Sequence, residues 1–399
     1  MNNKRKRILK RLVLWSDRNI LQIVLLGIIF LFTVIAFIYS KLNPLSLIDV
    51  TIISSFVITF GASIIFTSII DRLRAHVEDD IKIDYNFNKI VNKYQDSNAE
   101  SLYISADGKK WPMTVLYNRD SNINFKIKDS LRLYTTPREI INYSVNLIDL
   151  HKSSRIRNNI MIRLNNFILK DNEAILYTSR TTYINSLITN RAMDYRLPHT
   201  GVNEGLNVRE MLEPGPYLNP LKYSKLSNHI GYNILIETLD NCFCFKTRGF
   251  NVSISKGTVS FSISTTLKTI NTLNKNLKLT IESLEDGIKK DIRNSLNICV
   301  DDFDFSNDLQ CIYRELYEGG KPQFLFYKKI NLTKDELMNV YSESGNKQDL
   351  IFVTHQQFKE FKIDENFILS STKTNRKIDY EFAKTTIAPL VYLQDKLSL

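Results

Sequence analysis

Two long apolar runs stand near the amino terminus of the chain. Residues 21–39 contain no charged side chain, and residues 45–70 contain one, Asp49, near their start. A helix needs about 20 apolar residues to cross a bilayer, so this pattern predicts a hairpin of two transmembrane helices within residues 1–76. No small-residue cleavage site follows the first run, and a second run comes directly after it, which favours spanning helices over a secretory signal peptide.

The second run also contains small and hydroxylated residues, among them Gly61 and Ser63. Small residues let helices approach closely, so these positions either pack the second span against the first or join spans of different copies. Asp49 lies either among lipid headgroups or at the mouth of a channel. Because two helices cannot enclose a water path, we expect Asp49, Gly61 and Ser63 to act in an assembly of several copies in the lipid.

Beyond residue 76 the hydrophobic positions follow shorter periods. Charged residues 71–84 indicate a juxtamembrane helix or linker, and residues 77–175 then read as an α/β region. Within it, Thr136, followed by Pro137, predicts the start of an amphipathic helix that runs to about Leu150. Residues 176–399 contain closely spaced strands around one amphipathic segment and form the last predicted domain.

Charge and cysteine content limit the classes of function. The formal net charge is +11, but residues 1–18 hold seven of the 53 Lys and Arg residues against one acid, Asp17. We therefore expect neither a DNA nor an RNA partner, and the positive-inside rule places both termini in the cytoplasm. Cys242 and Cys244 alternate with phenylalanines and predict buried strand cysteines. No Cys or His set has the spacing of a metal site, and we assign no histidine a role.

Residues 282–298 take the register of the Nudix hydrolase signature, G-x5-E-x7-R-E-U-x-E-E-x-G-U, in which U is aliphatic. The signature works by placing carboxylates on one helix face, where they hold divalent metal against a pyrophosphate. The charged positions of the signature fall on five residues here: Glu282 on the first Glu, Lys290 and Asp291 on R-E, and Asn294 and Ser295 on the paired glutamates. Since both paired carboxylates are absent, we expect a degenerate box without catalytic activity.

A simpler interpretation of the same segment is an amphipathic helix. Leu284, Ile288, Ile292 and Leu296 fall at helical spacing and would face a core in any fold. The order of strands, helix and strand around the segment nevertheless fits an α/β/α sandwich.

Several short motifs accompany the box: Thr181–Tyr183, Thr189–Arg191, Ser227–Gly231, Arg314–Leu316 and Gly319–Pro322. With them, the chain resembles the transmembrane Nudix effectors of bacterial CBASS anti-phage systems, which join two N-terminal spans to a SMODS-associated Nudix-like domain. The resemblance implies a membrane-anchored fold class: a two-helix transmembrane hairpin plus a cytosolic α/β Nudix-like sensor domain, an α/β/α sandwich. It places the protein in the bacterial inner membrane.

The resemblance also implies a function. The Nudix-like domain of such effectors binds a cyclic di- or trinucleotide made by a partner nucleotidyltransferase, and no other cofactor is required. Binding then drives homo-oligomerisation of the spans and disruption of the inner membrane, which ends in abortive infection. Two alternatives stay open: a membrane-tethered Nudix hydrolase of nucleotide derivatives, and a membrane scaffold that binds protein partners.

Polar and aromatic residues of the same region supply candidates for ligand contact. Arginine and lysine form charge-assisted hydrogen bonds to phosphate, aromatic rings stack on bases, and amides read base edges. The candidates for phosphate are Arg191, Arg248, Arg314 and Lys321. The candidates for the bases are Tyr183, Asn190, Asn228, Gln323 and Phe326.

Overall fold

The protein is described here by a computed structural model. Apart from Asp149, the described residues belong to one unit that spans Ile83–Ile148 and Arg157–Leu399. The structure describes residues 87–97, 101–106, 108–119, 123–149, 157–195, 206–249, 255, 257–346, 348–363, 368–370 and 380–397.

Strands dominate this unit. They are β1 (Ile104–Ala106), β2 (Lys109–Trp111), β3 (Met113–Asn118), β4 (Asn124–Leu133), β5 (Ile160–Lys170), β6 (Glu173–Thr182), β7 (Gly231–Glu237), β8 (Cys242–Thr247), β9 (Val259–Phe261), β10 (Ile263–Thr266), β11 (Leu309–Glu315), β12 (Lys321–Lys329), β13 (Leu350–Thr354), β14 (Lys362–Ile363), β15 (Ile368–Ser370) and β16 (Tyr380–Glu381).

The helices are mostly short. They are α1 (Phe87–Lys93), α2 (Arg138–Ile141), α3 (Ser144–Asp149), α4 (Tyr183–Leu187), α5 (Val208–Leu212), α6 (Thr269–Thr272), α7 (Ile281–Leu296), α8 (Phe305–Asp308), α9 (Lys334–Glu343), α10 (His355–Lys359) and α11 (Lys384–Lys396). A 3-10 helix, Asn190–Ala192, follows α4.

The central sheet is mixed and has the strand order β13-β8-β7-β12-β11-β3. β7 and β12 pair in parallel at its middle, and every residue of β7 is buried, as expected for a strand covered on both faces. On its other side β7 pairs with β10 near its start and with β8 near its end. This edge of β7 is therefore shared between two strands.

Side-chain alternation divides the interior into two clusters, one on each face of the sheet. In β8, Cys244 enters the cluster with α7 and α9, whereas Phe243 and Phe245 enter the cluster with α1, α10 and α11. Cys242 is 5% exposed and Cys244 is fully buried. The prediction of buried strand cysteines is confirmed.

Helix α7 covers one face of the sheet. Thr280 caps its start by accepting a hydrogen bond from the Ser283 backbone amide (3.1 Å), and the Ser283 hydroxyl oxygen accepts one from the Thr280 backbone amide (2.9 Å). Asn297 ends the helix in the left-handed conformation, with φ 61°. The predicted apolar stripe of α7 is buried as expected: Leu284, Ile288, Ile292 and Leu296.

A separate three-stranded sheet has the strand order β4-β6-β5. Asp129 of β4 receives both terminal nitrogens of Arg180 of β6, at 2.6 and 2.7 Å. The same carboxylate accepts the Leu279 amide (2.9 Å) from the segment before α7. This buried pair therefore ties the small sheet to the start of α7.

The membrane-anchored fold class expected from the sequence is corrected by the structure. None of the helices among the described residues is both long and apolar enough to cross a membrane. The described part is a mostly β, α/β core with several sheets, and the multi-pass inner-membrane localisation lacks its structural basis there. The predicted spans at about 21–39 and 45–70 lie outside the described residues, as do Asp49, Gly61 and Ser63.

Two local predictions also differ from the structure. The helix expected from Thr136 to about Leu150 is split into α2 and α3, because the backbone turns at residues 142–143. Pro137 takes the cap position, while the Thr136 hydroxyl donates to Asn185 Oδ1 (3.1 Å). The domain boundary expected at residue 175 falls inside strand β6.

Candidate functional site

A small polar cavity of about 60 Å³ lies beside the first residues of β12. Three of the four cations that the sequence assigns to phosphate, Arg191, Arg248 and Lys321, line it together with Gln323. The other described lining residues are polar: Asn233, Ser255, Ser264, Thr265, Thr266, Glu318 and Thr385. Long-range folding thus gathers cations that stand far apart in the chain.

Strand pairing positions Lys321 and Gln323. β12 begins at Lys321 and runs parallel to β7, so Gln323 lies directly opposite Gly231. A side chain at residue 231 would collide with the Gln323 amide, which explains why glycine stands there. With its amide nitrogen facing the Gly231 carbonyl oxygen and its oxygen facing Lys321 Nζ, both at 3.2 Å, Gln323 holds the ammonium in place.

The two arginines arrive from other elements. Arg248 directly follows β8, and Arg191 lies in the 3-10 helix after α4. Arg191 Nη1 donates to the Tyr183 hydroxyl oxygen (2.7 Å), and its guanidinium carbon lies 5.1 Å from the centre of the Tyr183 ring. Tyr183 therefore orients the Arg191 guanidinium by a hydrogen bond and a cation–π contact.

Positive charge exceeds negative charge in this cavity. Among the lining residues that the structure describes, Glu318 is the single carboxylate against three cations. Its oxygens lie 2.8 Å from Lys321 Nζ and 3.7 Å from Arg191 Nε. Buried charge is costly without a partner of opposite sign, so the excess favours the entry of an anion.

The ionisation of the cavity residues reflects this crowding. Burial, and next the charge of Arg191, lower the pKa of Arg248 to about 10. Burial also lowers the pKa of Lys321, although Glu318 opposes the change. Burial disfavours the charged form of Glu318, but Lys321 and Arg191 hold the pKa of that carboxyl below its ordinary value. An anion among these groups would relieve their mutual repulsion.

Glu315 forms a second buried carboxyl behind the cavity. It accepts the backbone amides of Tyr317 (2.8 Å) and Glu318 (3.0 Å). Burial, and next the charge of Glu318, raise the pKa of Glu315. Its proton-bound form therefore contributes little negative charge near neutral pH, and the excess of cations persists.

His229 is a further component that the sequence left without a role. Its side chain is fully buried, and neither ring nitrogen has a hydrogen-bond partner among the described atoms. Burial, and next the charges of Lys321 and Arg191, hold its pKa well below the ordinary value. The imidazole is therefore neutral beside the two cations and adds no positive charge of its own.

The two asparagines proposed to contact base edges, Asn190 and Asn228, form hydrogen bonds with each other in this structure. Asn190 Nδ2 donates to Asn228 Oδ1 (3.1 Å) and to the Glu318 carbonyl oxygen (2.9 Å). The backbone N–H of Asn228 donates to Asn190 Oδ1 (2.8 Å). Both side chains are fully buried, so they fix the loops that carry Arg191 and Glu318.

Two other candidates lie away from the cavity. Arg314 is 1% exposed and donates to the carbonyl oxygens of Gly320 (3.0 Å) and Asn219 (2.8 Å). Phe326 is fully buried and packs edge to face on Phe303 and Phe305. Neither residue joins the group around the cavity in this structure.

Residues 282–298, which take the register of the Nudix signature, cover most of α7 and extend two residues beyond its end. Asp291 accepts hydrogen bonds from the Tyr232 hydroxyl (2.7 Å) and from Asn271 Nδ2 (2.8 Å). Glu282, Lys290 and Asn294 are exposed. No group of three His, Cys, Asp or Glu side chains suited to a metal ion occurs within the described ranges.

A cation lies next to the position that aligns with a paired glutamate of the signature. Lys246 Nζ donates to the Ser295 carbonyl oxygen (2.9 Å) and lies 3.2 Å from its hydroxyl oxygen. Ser295 aligns with the second paired glutamate of the signature. An ammonium there repels divalent metal, so the arrangement opposes the chemistry of an active Nudix helix.

Sequence reasoning missed Glu318 and His229. Both lie inside or beside short motifs that stood out, since Glu318 precedes Gly319–Pro322 and His229 is part of Ser227–Gly231. The sequence signal that could have identified Glu318 is its position directly before two glycines and Lys321. The burial of His229 depends on strand pairing across the chain, which no local pattern reveals.

Known proteins offer no assignment for this site. None of the models of protein families matches the chain, and no curated protein sequence matches it either.

Proposed function

We propose that this protein binds a cyclic di- or trinucleotide, the product of a partner nucleotidyltransferase, through the cavity of Arg191, Arg248 and Lys321. The observation that carries the proposal is the excess of three cations over one carboxylate in a partly closed polar cavity. Phosphodiesters carry one negative charge per phosphate and accept hydrogen bonds from arginine and lysine. One phosphate of the ligand enters the cavity and balances its charge.

The size of the cavity determines the mode of binding. About 60 Å³ corresponds to roughly two water molecules, which fits the anionic oxygens of one phosphate and excludes a nucleoside. The sugars and bases of the ligand therefore lie over the rim. Ser255 and Thr385 are half-buried lining residues that offer hydroxyl groups to the ligand.

The bound ligand remains intact. Hydrolysis by a Nudix helix needs carboxylates that hold metal, and Lys246 lies against α7 where one of them would stand. Asp291 is already engaged by Tyr232 and Asn271. Binding without turnover suits a receptor for a signalling nucleotide, and ligand-induced self-association is its output.

Thermal unfolding of the full-length protein tests the proposal. The panel contains cyclic di- and trinucleotides, the matching linear dinucleotides and mononucleotides. A ligand that binds only the folded state stabilises it by about 2.7 kcal/mol when its concentration is a hundred times the dissociation constant. The melting temperature then rises. We expect at least one cyclic compound to produce a saturable shift that its linear form does not. Equal shifts by linear and cyclic forms, or no shift at all, contradict the proposal.

A further inference from the structure

A second cavity, of about 670 Å³, opens on a different part of the protein. Its walls are the end of β4 with the following segment, β5, β6 and the loop of residues 222–225. It shares no described lining residue with the cavity of Arg191, Arg248 and Lys321. We call it the β4 groove.

The β4 groove is basic. Arg132, Arg163, Lys222 and Lys225 line it, and Glu139 is the one carboxylate among the described lining residues. Lys225 Nζ pairs with Glu139 at 2.7 Å, and both side chains are about half exposed. Arg132, Arg163 and Lys222 have no carboxylate partner among the described lining residues. The groove therefore has a positive potential that attracts anions.

Arg163 is the most enclosed of these cations. Its Nη2 donates to the carbonyl oxygens of Ser224 (3.2 Å) and Leu226 (3.1 Å), and its Nη1 donates to Asn165. No carboxylate of the described residues lies within ion-pair distance, and Nε–H is buried without a hydrogen-bond partner in that part of the chain. Burial, and to a smaller extent the charge of Arg132, lower the pKa of Arg163.

Tyr134 forms a platform under this guanidinium. The guanidinium carbon of Arg163 lies 5.3 Å from the ring centre, and the Tyr134 hydroxyl donates to the Lys225 carbonyl oxygen (2.6 Å). These contacts hold β5 and the 222–225 loop at a fixed separation. The groove is therefore a built feature of the fold, with a positioned cation in its wall.

Volume and lining indicate the class of ligand. Cavities of about 300–1,000 Å³ hold small molecules, and a groove of about 670 Å³ is far larger than inorganic phosphate requires. Hydroxyl groups of Ser130, Thr135 and Ser179 supply hydrogen bonds for a sugar or a base. The limited volume favours a compact anion over an extended nucleic-acid strand.

We propose that the β4 groove binds a free nucleoside diphosphate or triphosphate, with Arg132, Arg163 and Lys222 contacting its phosphates. This site is separate from the proposed cyclic-nucleotide site and does not depend on it. Arg132 and Lys222 are exposed, so their substitution leaves the fold intact, whereas Arg163 also supports the 222–225 loop.

Calorimetric titration of the full-length protein with ADP tests the inference. We expect saturable binding that the double variant Arg132→Gln, Lys222→Gln weakens by about a hundredfold, since two charge-assisted contacts are lost. Lys275→Gln, an exposed lysine away from the groove, and Arg191→Gln, in the other cavity, retain the affinity of the natural protein.

The inference is wrong if ADP shows no saturable binding, or if the double variant binds ADP as tightly as the natural protein. It is also wrong if only Arg191→Gln loses ADP binding, because that result would show that ADP binds in the first cavity. A short single-stranded RNA provides the remaining arm of the test. If it displaces ADP at lower concentration than ATP does, the groove is a nucleic-acid site and the inference is wrong.

Discussion

The ammonium of Lys246 lies 2.9 Å from the carbonyl oxygen of Ser295, which aligns with a metal-binding glutamate of the Nudix signature. Lys246 is 8% exposed and stands at the end of β8, so the central sheet delivers this charge to α7. Its Nζ also lies 5.1 Å from the centre of the Tyr341 ring. The lysine thus fills the place where metal chemistry would need negative charge.

We expect that introducing the signature glutamates does not create hydrolysis. In the variant Asn294→Glu, Ser295→Glu, the carboxylate introduced at position 295 meets Lys246 and forms an ion pair instead of a metal site. We expect no release of mononucleotide from nucleoside diphosphate derivatives with Mg²⁺ or Mn²⁺, measured by chromatography after long incubation. Turnover by the natural protein would support the hydrolase alternative. Addition of Lys246→Ala to the double variant provides the control that removes the opposing charge.

Gly287 allows α7 to approach the segment of α6. A Cβ at this position would lie 2.6 Å from Thr272 Cγ2 and 2.8 Å from the Asn271 carbonyl oxygen. Alanine gains about 1 kcal/mol over glycine in a free helix, but forced overpacking costs about 1–3 kcal/mol. We expect Gly287→Ala to lower the free energy of unfolding in urea, while Asn294→Ala on the exposed face of the same helix leaves it unchanged or slightly raised. A more stable Gly287→Ala variant contradicts the close approach.

The Asp129–Arg180 pair is expected to dominate the stability of the β4-β6-β5 sheet. Both side chains are 6% exposed. Removing one partner of a buried pair costs about 3–5 kcal/mol, so Asp129→Asn should reduce the free energy of unfolding by an amount of that order. The exposed pair Lys126–Glu173 in the same sheet is the matched control, and Glu173→Gln should cost less than about 1 kcal/mol.

The same pair predicts a response to acid. Burial opposes ionisation of Asp129, but hydrogen bonds from Arg180 and Thr178 hold its pKa below the ordinary value of 3.8. A lowered carboxyl pKa stabilises the folded state above the unfolded pKa, and this contribution is lost as the pH falls through the folded value. We expect the difference in unfolding free energy between the natural protein and Asp129→Asn to shrink below about pH 4. An unchanged difference there means that the pair is not ionised.

Glu213 predicts a pH dependence of the opposite sign. Burial raises its pKa to about 7, although Arg314 and the Asn219 hydrogen bonds oppose the shift. The folded protein therefore holds a proton that the unfolded chain releases above about pH 4.5, and stability falls as the pH rises through about 7. Burial raises the pKa of Glu315 as well, so that carboxyl adds a slope of the same sign.

Glu213→Gln isolates this contribution. We expect the decline in unfolding free energy between about pH 5.5 and pH 8 to become shallower in the variant, by about 2 kcal/mol over the range. Urea unfolding at several pH values measures both slopes. Parallel slopes in the variant and the natural protein rule out Glu213 as the titrating group.

Local patterns in the sequence predicted the features that short-range physics determines. The stripe of Leu284, Ile288, Ile292 and Leu296 gave α7, and the alternation around Cys244 gave a buried strand. The helix expected after Thr136 was wrong in its length and cap, because the Thr136 hydroxyl bonds to Asn185 from a distant segment. Such competition between local and distant partners has no local signature.

Local patterns could not predict that Arg191, Arg248 and Lys321 share a cavity. Their common cavity depends on the pairing of β7 with β12 and with β10, which periodicity does not specify. Residue chemistry made these three residues candidates for phosphate, and it also selected Arg314 and Phe326, which the structure buries elsewhere. The membrane-anchored fold class required correction, since the described helices include no membrane-spanning one.

The central claim is that Arg248 and its neighbours bind the phosphate of a cyclic nucleotide without cleaving it. The most direct measurement is calorimetric titration of the full-length protein with the cyclic compound that gives the largest thermal shift. Chromatography of the recovered ligand follows the titration. Arg248→Gln is the informative variant, and Lys275→Gln, an exposed lysine far along the chain from the cavity residues of β12, is its control.

We expect Arg248→Gln to weaken binding by about tenfold to a hundredfold, because a charge-assisted hydrogen bond to phosphate contributes about 1.5–3 kcal/mol. Lys275→Gln should bind like the natural protein, and the ligand should be recovered intact in every case. Wild-type affinity in Arg248→Gln, or recovery of a linear product, would contradict the account.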